Sequence, residues 1–326
     1  MKAKIFAHAL LALILTTIHV AQAQQPRKVP RIGFLVAQSA SSFSMRNEAF
    51  RQRLVELGYT EGKNIAIEYR YAEGELERLP DLAAELVRLK IDVIVAGGLP
   101  AAQAVKQATT TIPIVLQGGD PVGTGLVASL ARPGGNLTGF SDGTVDVSTK
   151  RLELLKEVVP KLSRVAILWN PANPTNPLQV KDTQAIAPAL GLAVYPVEVE
   201  KGDDFEAAFA AIKKHRAGAL LVPGDPMFGS HRKQLADLAV RSRLPAMYST
   251  PENPEAGGLM AYGANFVELY RRVAIYVDKI LKGTKPADLP VEQPTKFEFI
   301  INLKAAKQIG LTIPPNVLAR ADRVIR

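Results

Sequence analysis

Arg31-Ile-Gly-Phe-Leu-Val36 is a short apolar run closed by the polar stretch from Gln38 to Ser42. Such a run, bounded by turn-forming residues, reads as a buried strand. The segments after it settle the fold class. Ser44 to Leu57 places Phe50, Leu54 and Leu57 at helical spacing and stops at Gly58. Asn64 to Arg70 alternates Ile65, Ile67 and Tyr69, the period of a strand. Leu76 to Leu89 returns to helical spacing with Leu79, Ala83 and Leu86. Ile91 to Ala96 reads as a strand, Ala101 to Ala108 as a short helix and Ile112 to Leu116 as a further strand. Strand and helix alternating in this way predict a parallel sheet covered on both faces.

The alternation restarts downstream. Helices are predicted at Arg151 to Val159, at Leu178 to Leu190 with a bend at Pro188, at Asp203 to Lys214 and at Ser230 to Val240. Strands are predicted at Arg164 to Trp169, Leu192 to Val197, Gly218 to Val222 and Leu244 to Tyr248. A strand at Gly258 to Tyr262, a helix at Phe266 to Leu281 and a strand at Lys296 to Ile301 complete the series. These last pieces are too few for a third domain. They are expected to complete the first two, so that the chain crosses between lobes more than once.

With 326 residues, 47% of them hydrophobic, the chain is long enough for two cores. The absence of cysteine excludes a disulfide scaffold, a thiolate zinc site, an iron–sulfur cluster and a lipidated cysteine. Residues 1–23 open with Lys2 and Lys4, continue apolar to Val20 and end on Ala21-Gln22-Ala23. This is the pattern of a signal peptide cut after Ala23, with residues 24–30 as a linker. The expected compartment is the periplasm, without a lipid anchor. The net charge of +9 is spread among acidic residues. Its densest cluster, Lys213-Lys214-His215-Arg216, ends a predicted helix, where the dipole favours cations. No DNA- or RNA-binding motif accompanies it, so a nucleic-acid partner is set aside.

Ligands of open parallel sheets bind beyond the carboxyl ends of the strands, and two such sheets make a cleft. The residues just after strands are therefore the candidates. Ser39, Ser41 and Ser42 suit an anion at a helix start, or plain capping. Gly98, in Gly97-Gly98-Leu99-Pro100, offers backbone amides or a tight turn. Asn170 follows the strand ending at Trp169, and Asp225 follows the strand ending at Val222. A carboxylate there suits a ligand ammonium, or caps a helix. As a rim group, Asp225 is expected to be replaceable by Ala without loss of folding. Tyr248 and Tyr262 end strands and either wall the cleft or pack in the core. Gly119-Asp120-Pro121 is echoed by Gly224-Asp225-Pro226, as two similar lobes would allow. No phosphate loop, dinucleotide fingerprint, nucleophile elbow or metal-binding His pair is present, and nothing calls for a cofactor. An enzymatic reading would rest on Asp120 and Asp225 alone.

Longer runs carry a resemblance. Gly58-Tyr-Thr-Glu-Gly-Lys-Asn-Ile, Arg78-Leu-Pro-Asp-Leu-Ala-Ala-Glu-Leu-Val, Ala131-Arg-Pro-Gly-Gly-Asn-Leu-Thr-Gly, Asn170-Pro-Ala-Asn-Pro and Gly257-Gly-Leu-Met-Ala-Tyr-Gly stand out. The chain resembles the tryptophan/tyrosine-type family of ABC transporter substrate-binding proteins. The resemblance implies a type I periplasmic binding protein: two Rossmann-like lobes with parallel sheets, joined by three hinge crossovers. These would lie near residues 139–144, 262–264 and 291–295. Lobe 1 would hold residues 31–141 and 263–293, and lobe 2 residues 142–262 and 294–326. It also implies a ligand carboxylate held by lobe 1, through Ser39, Ser41, Gly98 and Asp120. The ligand ammonium would face lobe 2, through Asn170, Asp225 and Tyr248. The implied function is to trap a small solute, an amino acid or related organic acid, and present it to an inner-membrane ABC permease. A monomer is expected, because the hinge must move freely. Alternatives are a periplasmic sensor docking on a membrane receptor and, more remotely, a periplasmic α/β enzyme. A repressor-like regulator would need a DNA-binding domain where the leader stands.

Overall fold

A computed structural model of the chain describes residues 29–143 and 147–326. The expected leader, most of the linker and residue 144 of the first expected crossover fall outside them. One sheet contains β1 (Arg31–Val36), β2 (Ala66–Tyr71), β3 (Val93–Gly97), β4 (Ile114–Gln117), β5 (Leu137–Phe140) and β11 (Val291–Glu292). Their order is β11-β5-β4-β3-β1-β2. The other contains β6 (Arg164–Trp169), β7 (Ala193–Glu198), β8 (Ala219–Val222), β9 (Ala246–Tyr248), β10 (Met260–Ala264), β12 (Phe297–Asn302) and β13 (Arg323–Ile325). They run β13-β12-β10-β9-β8-β6-β7. The first five strands of each sheet therefore repeat one order.

Helices cover both faces. In the first lobe they are α1 (Ala40–Glu56), α2 (Leu79–Arg88), α3 (Leu99–Ala108) and α9 (Phe266–Leu281). In the second they are α4 (Ser148–Val158), α5 (Thr175–Ile186), α6 (Phe205–Lys214), α7 (Pro226–Ser230), α8 (Arg232–Arg241), α10 (Leu303–Ile309) and α11 (Pro315–Leu318). Each sheet is sandwiched between two apolar clusters. In the first lobe Phe34 packs edge-on to Phe43 and Phe50 at 5.7 and 5.0 Å between ring centroids, and Tyr270 of α9 closes on Phe43 at 4.9 Å. Burying such rings contributes about 1.5–3 kcal/mol each, so this cluster anchors α1 and α9 to the sheet. α1 begins a turn earlier than its apolar spacing predicts, because Ser39 accepts a hydrogen bond from the Ser42 amide and caps it. α5 gives way at Ala187, just before Pro188, to a 3-10 turn, where its sequence predicts a bend.

The sheets are parallel, as expected, except where β12 runs antiparallel to β10. β12 arrives directly from the other lobe without a return helix, so it meets β10 head to tail. β5 has no clear signal in the sequence. It follows Gly134-Gly135 and contains Gly139, whose φ is +138° and whose added Cβ would lie 2.0 Å from the Leu116 carbonyl oxygen. Only glycine lets β5 approach β4 so closely.

The chain passes between lobes after β5, at Asn265 between β10 and α9, and at residues 293–296 between β11 and β12. Gly263 and Ala264 pair with Glu298 and Phe297 in the second sheet, whereas the expected boundary put them in the first lobe. The three passages lie side by side: β11 pairs with β5, the Ser141 amide donates to the Glu292 carbonyl at 2.9 Å, and Ala264 is opposite Phe297.

Candidate functional site

β3 and β8 occupy equivalent positions in the two sheets, and the helix after each starts at the cleft. α3 begins after Gly98 and α7 after Asp225. The two starts face each other closely: a Cβ on Gly98 would lie 3.7 Å from Pro226 Cγ. They differ in charge. Gly98 caps α3 with no side-chain acceptor, leaving the positive end of the helix dipole open to the cleft. Asp225 covers α7, its Oδ1 accepting from the amides of Met227 and Phe228 at 2.8 and 3.2 Å.

Between these starts is a cavity of about 60 Å³, partly open to solvent. The lobes touch beside it, where the Ser39 amide donates to Ser230 Oγ at 3.0 Å and Arg46 Nε to Glu252 Oε1 at 2.9 Å. The first lobe contributes Gln38, Arg46, Gly98, Leu99, Gln117 and Gly119, with Phe266 and Tyr270 from α9. The second contributes Asn173, Thr175, Gly224, Asp225, Pro226 and Thr250, and Asp142 reaches in from the first passage.

Three buried polar atoms on residues lining this space have no hydrogen-bond partner among the described residues: Gln117 Nε2, Tyr270 Oη and Thr175 Oγ1. An unmatched buried donor costs about 1–3 kcal/mol, so such atoms mark places where something else completes the bonding. Asp225 is the opposite case. It is 7% exposed and its Oδ2 accepts from Asn173 Nδ2 at 2.8 Å and Asn170 Nδ2 at 3.4 Å. All four of these donors are uncharged. Burial pushes the Asp225 pKa up, and the hydrogen bonds oppose that rise without cancelling it. Asp142, 8% exposed, adds a second carboxylate. Its charge acts on Arg151, whose pKa burial lowers to about 10. Arg151 Nε also donates to the Tyr262 carbonyl at 2.8 Å, next to the second passage.

Of the residues nominated from sequence, Gly98 and Asp225 line the cavity. Asn170 stands one step behind and holds Asp225. Ser39 caps α1, and its amide donates across the cleft to Ser230 Oγ at 3.0 Å. Ser42 donates back to the Ser39 carbonyl, and Ser41 is exposed. Asp120 folds onto its own turn, accepting from the Gly123 amide at 2.8 Å. Its triplet comes after β4 and that of Asp225 after β8, so the echo links non-equivalent strands. Tyr248 is fully buried in the core of the second lobe, and Tyr262 stacks on Phe297 at 5.9 Å. Asp225 is also more than a rim group, since it carries a helix cap and two amide contacts. Its truncation is therefore not free.

Sequence reasoning missed Arg46, Gln117, Asp142, Thr175, Phe266 and Tyr270. Gln117 ends β4 and Asp142 lies just past β5, so the same rule finds both once β5 is recognised. Arg46 and Tyr270 lie on helices that only tertiary packing brings to the cleft. Among the described residues no cluster of His, Asp and Glu is placed to hold a metal ion, and no helix is long and apolar enough to cross a membrane.

The chain is similar to a tyrosine-binding protein of Clostridioides difficile (strain R20291), with 28% identity over 87% of this chain and 82% of that one. It is similar to an ABC domain from Streptococcus pneumonia solved in complex with L-Trp, with 29% identity, a TM-score of 0.85 and coverage of 91% and 99%. It also resembles the ligand-free, open structure of a Clostridium difficile substrate-binding protein with adhesive properties, with 27% identity over 91% and 99% of the chains. There the TM-score is 0.65. The profile of ABC transporter substrate binding proteins matches residues 31–325. The chain belongs to this family of ABC transporter substrate-binding proteins, which bind a solute and are not enzymes.

Proposed function

We propose that the protein traps a zwitterionic α-amino acid between its lobes and delivers it to an ABC permease. The observation that carries this is the opposed chemistry of the two helix starts. An uncapped α3 with Gln117 Nε2 and Tyr270 Oη beside it forms a donor-rich wall on lobe 1. Asp225 faces it from lobe 2, and Asp142 adds a carboxylate to the same cavity beside Gly118. A carboxylate suits the first and an ammonium the second. Phe266, Leu99 and Pro226 give apolar surface for a side chain. The names of the relatives favour an aromatic amino acid. Closure would bury the ligand and give the permease a shape that the open form lacks. The signal-peptide pattern of residues 1–23 supports the periplasm as the place of work, and a free hinge supports a monomer.

Calorimetric titration tests the reading with L-tyrosine, L-tryptophan, tyramine, which lacks the carboxylate, and the desamino acid, which lacks the ammonium. A charged hydrogen bond is worth about 1.5–3 kcal/mol, so each truncated analogue is expected to bind at least roughly tenfold more weakly. Equal affinity for tyramine or for the desamino acid would remove the corresponding wall from the site. No heat with either amino acid would reject the aromatic ligand.

A further inference from the structure

Arg46 is a cavity-lining cation that its own lobe does not neutralise. It projects from α1, is 6% exposed, and its guanidinium stacks over the Phe266 ring at 4.2 Å. Within lobe 1 its polar contact is neutral: Nη1 donates to Gln38 Oε1 at 3.1 Å. The counter-charge comes from the other lobe. Arg46 Nε donates to Glu252 Oε1 at 2.9 Å, and Glu252 lies in the segment after β9, 7% exposed. The other carboxylate oxygen, Oε2, has no partner among the described residues. Around the pair the seam is tight. The Ser39 amide meets Ser230 Oγ, Arg232 donates to the Ser42 carbonyl, and a Cβ on Gly229 would collide with Gln38 Nε2.

We infer that Glu252 is a positioning residue: it neutralises and orients Arg46 only when the lobes are shut, so completing that wall of the cavity and closing the cleft are one event. An open cleft leaves both groups to water, where neither charge needs the other. Closure strips that water from both, and a buried charge without its partner is strongly disfavoured. Replacing one member therefore penalises the shut state far more than the open one. Replacing both with apolar residues of similar length removes the penalty, as buried ion pairs elsewhere show. The ligand site inherits the effect, because apparent affinity scales with the population of the competent state. This inference rests on the proposed opening and closing of the lobes, but not on the identity of the ligand.

Ligand-free trapping separates the two. The chain has no native cysteine, so Ser39→Cys with Ser230→Cys places a single thiol pair across the seam. Its rate of disulfide formation reports how often the lobes are shut. In that background Glu252→Gln is expected to slow trapping by about tenfold or more, and the double replacement Arg46→Met with Glu252→Met to restore the rate. An unchanged rate in Glu252→Gln, or a double variant as slow as the single one, would overturn the inference. Titration with L-tyrosine and L-tryptophan is run in parallel. If neither binds while trapping responds as expected, the amino-acid reading fails and the role of Glu252 stands. If both bind while trapping ignores Glu252, the reverse holds.

Discussion

Asp225 has two separable jobs, and substitution can part them. Replacing it with Ala removes the cap from α7, at a cost of about 0.5–2 kcal/mol. It also strands the Asn173 amide, which donates at 2.8 Å in a site only 3% exposed, and weakens the longer Asn170 contact. A buried donor left without an acceptor costs about 1–3 kcal/mol. Together Asp225→Ala is expected to cost about 1.5–5 kcal/mol, the sum of the cap and stranded-amide ranges. Asp225→Asn keeps an oxygen for the Met227 and Phe228 amides but turns an amide toward Asn173, at about 1–2 kcal/mol. Its charge is gone in both variants, so binding of an amino acid falls by about 1.5–3 kcal/mol beyond any change in folding. Urea unfolding gives the first quantity and calorimetric titration the second. If Asp225→Ala unfolds within about 0.5 kcal/mol of the parent, the range of a neutral surface change, the cap account is wrong. If Asp225→Asn costs as much stability as Asp225→Ala, the charge and not the hydrogen-bond geometry holds the segment. If Asp225→Asn binds amino acids as tightly as the parent, Asp225 does not face the ammonium.

The structure sets four further outcomes. Tyr270→Phe removes a buried hydroxyl that has no partner among the described residues, so the ligand-free protein should be equally or more stable while amino-acid binding weakens. Tyr248→Phe should leave binding unchanged, because that ring packs in the second-lobe core away from the cavity. Equal loss of affinity in the two variants would refute the distinction. Gly139→Ala is expected to cost about 3 kcal/mol or more, since its Cβ meets the Leu116 backbone in a conformation side chains avoid; a soluble variant with unchanged urea midpoint would refute it. Because burial raises the Asp225 pKa, its charge is lost on acidification before that of an exposed aspartate. Amino-acid affinity should therefore fall as pH drops through that raised value and should lose this dependence in Asp225→Asn, as titrations across pH would show.

The sequence by itself determined the alternation of strands and helices and the presence of two α/β units. Those signals are local: apolar runs at periods of 2 and 3.6 residues, punctuated by Gly, Pro and Ser. Arg31–Val36, Arg164–Trp169 and Phe266–Leu281 take the bounds that these signals predict. Sequence also led to Gly98 and Asp225, which start helices just past the ends of the equivalent strands β3 and β8. Tertiary structure alone decided the rest. β5 is a strand because β4 and β11 flank it, with Gly139 allowing the contact, and no periodicity in four residues announces that. β12 is antiparallel because the chain re-enters the second lobe beside the point where it left. Ser39, Asp120 and Tyr248 are the residue types a binding site uses, but their hydrogen bonds and packing commit them to a cap, a turn and a core. Tyr270 and Arg46 give no local sign of function. They reach the cavity because α9 returns from the second lobe to pack on α1, and because the closing lobe brings Glu252 to Arg46 across 206 residues of chain. Charge pairing and cavity lining depend on which surfaces meet in space, and separation along the chain does not carry that information.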